Sequence, residues 1–561
     1  MAIKRIRIGE LLVNAGLITE DQLREALQIQ KHTGDKLGNV LVQENYVSES
    51  QIMEVLEFQL GIPYIDLSNA TISSEVQKMI PYNLIRRHIV VPVKLERNML
   101  YVAMEDPLNF IAIEDLRMAT GYEIVPMIAP LEAINRTISR LYGTESADQA
   151  IREFQKETFA ARRLTTSLEV DSYEVDSAPI VKLVHSTIEL AISQSASDIH
   201  IEPMEDMVRV RFRIDGKLQE STSIPKEAQS AVSTRLKIMA GLDIAEKRIP
   251  QDGRFDFRTS NKVLNVRVSV LPTSHGEKVV MRILDKTNFL IPKEKLGFTK
   301  NNLEKFDKLL KNPNGIILLT GPTGSGKSTT LYTMLSELNK VTENIVTIED
   351  PIEYQVDGIN QVQVNIKAGL TFASALRSFL RQDPDIIMVG EIRDNETVEV
   401  AIRAAITGHL VLSTLHTNDA VSSISRLEDM EVPSYLLAVA LRGVISQRLV
   451  RKLCPRCSTP YKPSAYELNY LGLPLEEDYT FYKAIGCPKC NNTGYRGRIA
   501  VHEIFIVDNE IRDMISREVS VSEITKYAIE HGMSTLKDEA IKLIMKGVTS
   551  FDEAIDITYS L

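Results

Sequence analysis

At 561 residues the chain exceeds what one hydrophobic core organises, so three or four domains are expected. Hydrophobic residues at 44% and charged residues at 25% describe an ordinary globular protein, and a formal charge of -10 argues against a general nucleic-acid binder. No apolar run reaches the roughly 18–20 residues that span a bilayer. The opening MAIKRIRIGELLVNAG is broken by Gly9, Glu10 and Asn14 and reads poorly as a signal peptide, so a cytoplasmic location is expected, compatible with peripheral attachment to a membrane protein.

The first sixty residues contain a repeat. Segment 7–30 aligns without gaps on segment 36–59 at an offset of 29 residues, pairing Arg7 with Lys36, Ile8 with Leu37, Gly9 with Gly38, Leu12 with Leu41, Val13 with Val42, Leu27 with Leu56 and Gln30 with Gln59. Each copy reads as a short helix, a turn at Asn14–Gly16 or Gln43–Asn45, and a second helix. Thr19 or Ser48 caps that helix, with Gln22 or Gln51 at its third position. Two such copies are able to bury their apolar faces on each other.

Residues 62–140 mix helix with strands near Ile89–Val93 and Met99–Ala103, and 141–171 read as a polar linker. Over 172–290 a helix precedes the strands VRVRFRID, NVRVSV and VVMRIL, the last two joined by a turn at Pro272–Gly276, which describes a compact α+β domain. From 291 to 561 strand, loop and helix alternate, the pattern of a mostly parallel α/β core.

That core carries a phosphate motif. The apolar strand Ile316–Thr320 runs into Gly321, Pro322, Thr323, Gly324, Ser325, Gly326, Lys327 and Ser328, and then into helix-forming residues from Thr329. Glycines let successive N–H groups point at phosphate oxygens, and the helix N-terminus adds its positive end. Lys327 is placed to reach the β and γ phosphates and Ser328 to offer its hydroxyl to Mg²⁺. Three more strands end in polar residues: Asp385–Glu391 delivers Glu391, a candidate to bind Mg²⁺ through water or to polarise the attacking water. Asn344–Ile348 delivers Glu349, Asp350 and Glu353, and Leu410–His416 delivers His416. On VRVRFRID a period of two puts Arg209, Arg211 and Arg213 on one face, where a phosphate or solvent must offset their charge.

The four cysteines form two CxxC pairs, Cys454/Cys457 and Cys487/Cys490, with 29 residues between them. Four thiolates so spaced suit a tetrahedral structural Zn²⁺, with an Fe–S cluster as the alternative. A closed ligand set leaves no position for substrate.

Together these segments resemble the secretion ATPase superfamily of type II secretion and type IV pilus systems, most nearly the pilus assembly (extension) branch. Residues 321–328 match its Walker A motif, 385–391 its atypical Walker B motif, 345–354 its aspartate box and 408–419 its histidine box. The resemblance implies an α/β fold: a RecA-like P-loop core, a preceding small α+β (PAS-like) domain, a zinc-binding insertion at about 450–500 and an N-terminal MshE-type domain over 1–140. It implies that Glu353 activates water, that Glu391 lies near Mg²⁺ and His416 near the γ-phosphate, and that arginines among Arg209, Arg211, Arg213, Arg267 and Arg282 reach the nucleotide. It implies a homohexamer that hydrolyses ATP and drives an inner-membrane platform protein; the acidic balance and the lack of an obvious nucleic-acid module argue against a nucleic-acid partner. The MshE-type pattern implies cyclic di-GMP as a ligand, with Arg7 on a guanine or phosphate; Ile8, Lys36 and Asn45 depart from the pattern. The alternatives are a type II secretion ATPase driving a pseudopilus and, from another class, a nucleotide-gated scaffold or cyclic di-GMP receptor without motor activity. A ring helicase is a further P-loop alternative, distinguished by DNA-stimulated hydrolysis.

Overall fold

The computed structural model describes residues 178–558 apart from 260–262 and 285–289, residues 62–142 apart from 68, 69, 71 and 108, residue 151, and shorter stretches within 9–51, the longest being 15–33. It divides into two units, Met1–Leu284 and Asp285–Leu561.

In the first unit the repeat is visible in the backbone. Helix α1 (Glu20–Thr33) opens on a reciprocal cap in which the Gln22 N–H donates to Thr19 Oγ1 (3.2 Å) and the Thr19 N–H to Gln22 Oε1 (2.8 Å). The Leu17 N–H donates to the Leu12 carbonyl at 3.0 Å, and the Tyr46 N–H to the Leu41 carbonyl at 3.0 Å, the same turn one repeat later. Leu12, Ile18 and Ala26 share one small core with Val40, Leu41 and Val47, so the copies do bury their apolar faces together. Arg7, Lys36, Gly38, Val42, Asn45 and Ser48 lie outside the described residues.

Residues 62–142 follow with strands β1 (Val90–Glu96), β2 (Met99–Met104) and β3 (Glu123–Ile128), and helix α2 (Phe110–Thr120) between the last two. β1 pairs antiparallel and β3 parallel with β2. Asn109 caps α2 by accepting the Ala112 N–H at 3.1 Å, and Gly121 ends it in the left-handed conformation.

The middle domain starts with helix α3 (Ala178–Ser193) and strands β4 (Ala196–Pro203), β5 (Met207–Ile214) and β6 (Lys217–Pro225). Helix α4 (Gln229–Ala240) leads to β7 (Gln251–Arg258), β8 (Val263–Thr273) and β9 (Gly276–Leu284). All six strands pair antiparallel in the order β6-β5-β4-β9-β8-β7. Alternation separates the faces: Val208, Val210 and Phe212 of β5 join the core with α3 and α4, while Arg209, Arg211 and Arg213 occupy the other face.

The second unit is built on a seven-stranded sheet. After helix α5 (Lys300–Leu310) come β10 (Gly315–Thr320), helix α6 (Lys327–Leu338), β11 (Ile345–Glu349), β12 (Asn360–Gln363) and β13 (Ile386–Val389). Helix α7 (Asn395–Ile406), β14 (Leu410–Leu415), β15 (Leu441–Leu453) and β18 (Tyr495–Ile506) complete it; β16 (Thr459–Tyr461) and β17 (Phe481–Lys483) form a separate hairpin, and α8 (Phe551–Thr558) is the last helix described. The order is β12-β11-β13-β14-β10-β15-β18, parallel except for β18. Every residue of β10, β11, β13 and β14 is buried. Both faces are covered: Ile316 and Leu318 enter one core, Ile317 and Leu319 the other, which explains the unbroken apolar runs in the sequence. β14 separates β10 from β13, so the ends of these three strands adjoin, as in a RecA-like core. No helix among the described residues is long and apolar enough to cross a membrane.

Candidate active site

β10 ends at Thr320 and the chain curls through 321–326 before α6 begins at Lys327. Gly321 has φ 144°, and a Cβ there would stand 2.4 Å from the Gln447 carbonyl oxygen, so only glycine lets the loop lie against β15. Gly326 caps α6 at φ 88°, a conformation that side chains resist. Pro322, Thr323, Gly324 and Ser328 are exposed and Thr329 half-buried, whereas Ser325 is buried with its hydroxyl sealed from solvent. Lys327 Nζ donates to the loop's own carbonyls, Gly321 at 2.6 Å and Pro322 at 3.1 Å. Burial, reinforced by Arg448 and opposed by Glu391, pushes its ammonium down to about 8.

Glu391 and His416 converge on this lysine. Glu391 follows the end of β13, where its Oε1 accepts from Arg393 at 2.8 Å; His416 follows β14, with Nε2 3.9 Å from Glu391 Oε2. Burial and the Lys327 charge hold the imidazole below its usual range, so it is neutral near pH 7. Glu353 is half-buried in the loop after β11. Its neighbour in sequence pattern, Glu349, has a different fate: it is buried and bonded by Tyr332 (2.5 Å), Thr347 (2.7 Å) and Gln361 (3.0 Å). The aspartate box therefore offers only Asp350 and Glu353 towards solvent, its third carboxylate being packed away against Tyr332.

Sequence reasoning missed the residues behind the loop. Gln447 Nε2 donates to the Ser325 carbonyl at 2.9 Å while its Oε1 accepts from Thr330 at 2.7 Å, fixing the loop and the first turn of α6 to β15. Arg448, buried beside it, donates to the Asn418 carbonyl at 3.0 Å and so braces the histidine-box turn. Thr320 takes the Thr417 N–H at 2.8 Å, joining that turn to β10. The available signal was polar Ser446, Gln447 and Arg448 within the apolar run of β15, because buried polar side chains need partners.

The four cysteines meet at one point, their sulfurs all within 4.8 Å of one another. Cys454–Cys487, Cys457–Cys490 and Cys487–Cys490 Sγ separations are 3.9, 3.8 and 3.7 Å. A metal with sulfurs at about 2.3 Å has tetrahedral edges of about 3.8 Å, so the set fits such an ion and is too open for disulfides. Cys490 Sγ accepts N–H bonds from Cys487 and Gly494, each 3.2 Å. Burial pushes this thiol up, but those donors outweigh it and bring it down to about 7. The group is thus able to chelate a metal.

Residues 173–556 match the family described as Type II/IV secretion system protein, and residues 60–148 match the MshEN domain. The type IV pilus assembly ATPase PilB of Myxococcus xanthus is 43% identical over 98% of this chain and 99% of its own length. The chain belongs to the type II/IV secretion system protein family. With its phosphate loop in place, it is an ATPase of that family. The type II secretion system ATPase E of Vibrio cholerae is 42% identical over 79% of this chain and 93% of its own length. The solved ATPase DotB of Legionella pneumophila, 23% identical, covers 67% of this chain and 95% of its own with a TM-score of 0.51, a likeness of fold alone.

In this family member the arginines of the middle domain share one face of its sheet, and that face supplies carboxylates. Glu202 bonds Arg209 (3.2 Å), Arg211 (2.8 Å) and Lys278 (3.0 Å); Asp198 bonds Arg282 (2.9 Å) and lies 3.5 Å from Arg213. Burial pushes Glu202 up, but the bonds from Arg211 and Lys278 outweigh it and hold the carboxyl at about 2. Arg267 stands opposite Arg282 in the β8–β9 register, on the same face. The offsetting anion that the sequence called for is therefore present within the domain, and the arginines keep enough exposure, 33% for Arg209 and 59% for Arg282, to meet a second one. In the N-terminal repeat, a Cβ at Gly9 would lie 2.4 Å from Leu23, so this glycine permits helix packing, and Leu12 and Leu41 are fully buried in the core between the copies.

Proposed function

We propose that the chain is a hexameric motor that hydrolyses ATP to ADP and phosphate at the cytoplasmic face, powering type IV pilus assembly through an inner-membrane platform protein. The observation that carries this reading is the meeting of Lys327, Glu391 and His416 at three adjacent strand ends, in a chain whose pilus relative matches it almost end to end. The near-complete coverage of that relative favours pilus assembly over type II secretion, whose Vibrio cholerae relative covers 79% of the chain.

In this reading the P-loop residues Gly321 to Thr329 hold the phosphates and Lys327 neutralises them. Ser328 and Glu391 hold Mg²⁺, which supplies charge neutralisation at the phosphates when bound. Neutral His416 donates a hydrogen bond towards the γ-phosphate, and Glu353 takes a proton from the attacking water. Arg209, Arg211, Arg213, Arg267 and Arg282 form the basic face that offers further contacts to nucleotide. Glu353→Gln is expected to bind ATP normally and release phosphate about 10²-fold more slowly. Filter binding together with single-turnover phosphate release checks this; wild-type release would remove Glu353 from the role.

The cysteine group is assigned to Zn²⁺, because a closed tetrahedral thiolate set is structural. We also assign cyclic di-GMP to the N-terminal repeat, with Arg7 as the anion partner; the MshEN match beside the repeat supports it. Calorimetry on the full chain is expected to give a Kd at or below about 1 µM (about -8 kcal/mol), lost in Arg7→Ala. Silence at ~100 µM ligand would leave the repeat as a packing element, the role Gly9 already plays.

A further inference from the structure

Tyr332 has no part in the roles above, yet it stands between the two sides of the site. It lies in the second turn of α6, the helix that Lys327 begins, and is 2% exposed. Its hydroxyl bonds Glu349 Oε2 at 2.5 Å, and the same oxygen accepts, at 3.3 Å, from the Tyr354 N–H of the peptide that joins Glu353 to Tyr354. The direction is forced. Peptide N–H groups only donate, so the phenolic oxygen accepts from the loop and its proton goes to Glu349. Gln361 closes the ring: it donates to Glu349 Oε1 at 3.0 Å and to the Tyr354 carbonyl at 2.9 Å, and accepts from the Val356 N–H at 2.8 Å.

We propose that Tyr332 is a positioning residue for ATP hydrolysis, holding the backbone of Glu353 to the helix that carries Lys327. This rests on the reading of Glu353 as the group that activates water. One rigid element then sets both the cation at the phosphates and the carboxylate at the water, and a loop freed by about 1 Å forfeits much of the rate. The buried Glu349 is the anchor that aims the hydroxyl, which accounts for an acid at a position that faces away from solvent.

Tyr332→Phe keeps the ring and removes only the hydroxyl. It is expected to lower kcat about 10–100-fold while the KM for ATP moves less than about threefold. Tyr332→Phe combined with Glu353→Gln is expected to be no slower than Glu353→Gln alone, because a residue acting through Glu353 has nothing left to position. Losing the hydroxyl also leaves Glu349 with one donor fewer, so Tyr332→Phe/Glu349→Gln is made in parallel; its melting temperature should recover towards wild type while kcat stays low. If Tyr332→Phe alone does not fold, this double variant carries the kcat test. Wild-type kcat in the folded variant overturns the proposal, as does a loss that adds fully to that of Glu353→Gln or that matches a loss of ATP affinity. Wild-type turnover in Glu353→Gln itself overturns the role of Glu353 and the proposal with it, a result distinguishable from failure of Tyr332 alone.

Discussion

Alanine at Lys327 is expected to lower ATP hydrolysis by on the order of 10³-fold or more with the fold intact. The fold should survive because the Nζ bonds only carbonyl oxygens of its own loop, and the loop is held independently by Gln447 and by the left-handed cap at Gly326. Catalysis should not, because Lys327 is the side-chain cation within the phosphate loop and charge develops on the transferring phosphoryl group. The same residue dictates a pH dependence. Burial pushes its ammonium down to about 8, so the chain binds ATP with the lysine already charged below that pH and must take up a proton above it. The apparent affinity is expected to be flat at lower pH and to weaken as pH rises through about 8, approaching tenfold per pH unit. Calorimetry at pH 8 in buffers of different ionisation enthalpy should register uptake of about half a proton per ATP, absent in Lys327→Ala. Hydrolysis by Lys327→Ala within tenfold of wild type would show that the loop is not the phosphate site.

Stripping the metal from the cysteine group is expected to have the second largest effect, and on stability. One Zn²⁺ per chain should copurify, and serine at Cys454, Cys457, Cys487 or Cys490 should unfold the 450–500 module, since ligation of structural zinc is worth about 10–16 kcal/mol in small domains and is coupled to folding. The damage should travel towards the C-terminal helices. β15 ends beside Cys454, and just before that end Arg451 donates to Glu553 of α8 at 2.6 Å and stacks on Tyr495 at 3.9 Å. Nucleotide affinity should change by less than about tenfold, or 1.4 kcal/mol, because Gln447 sits further up the same strand within the buried sheet. Thermal melts, limited proteolysis and ATP titrations with and without chelator check this. Elemental analysis finding neither zinc nor iron would sink the assignment, and iron alone would turn it into a cluster.

Much of this protein was legible in its residues because each readable feature is confined to one element. An unbroken apolar run ending at Gly321 announces a strand buried on both faces and a loop that curls; the CxxC spacing announces two knuckles; an offset of 29 residues announces two copies of one packing unit, and the Leu17-to-Leu12 bond of the first copy recurs as Tyr46-to-Leu41 in the second. Alternation along β5 is by itself enough to put Arg209, Arg211 and Arg213 on one face. What no spacing encodes is who meets whom across the chain. Asp198 pairs with Arg282, 84 residues away; Gln447 reaches Ser325 across 122; and Glu349, which shares a short segment with Asp350 and Glu353, is withdrawn into the core by Tyr332. Those pairings depend on strand order and on which buried polar group finds a partner, and the energy that selects them, the cost of leaving such a group unbonded, acts only once the sheet has assembled.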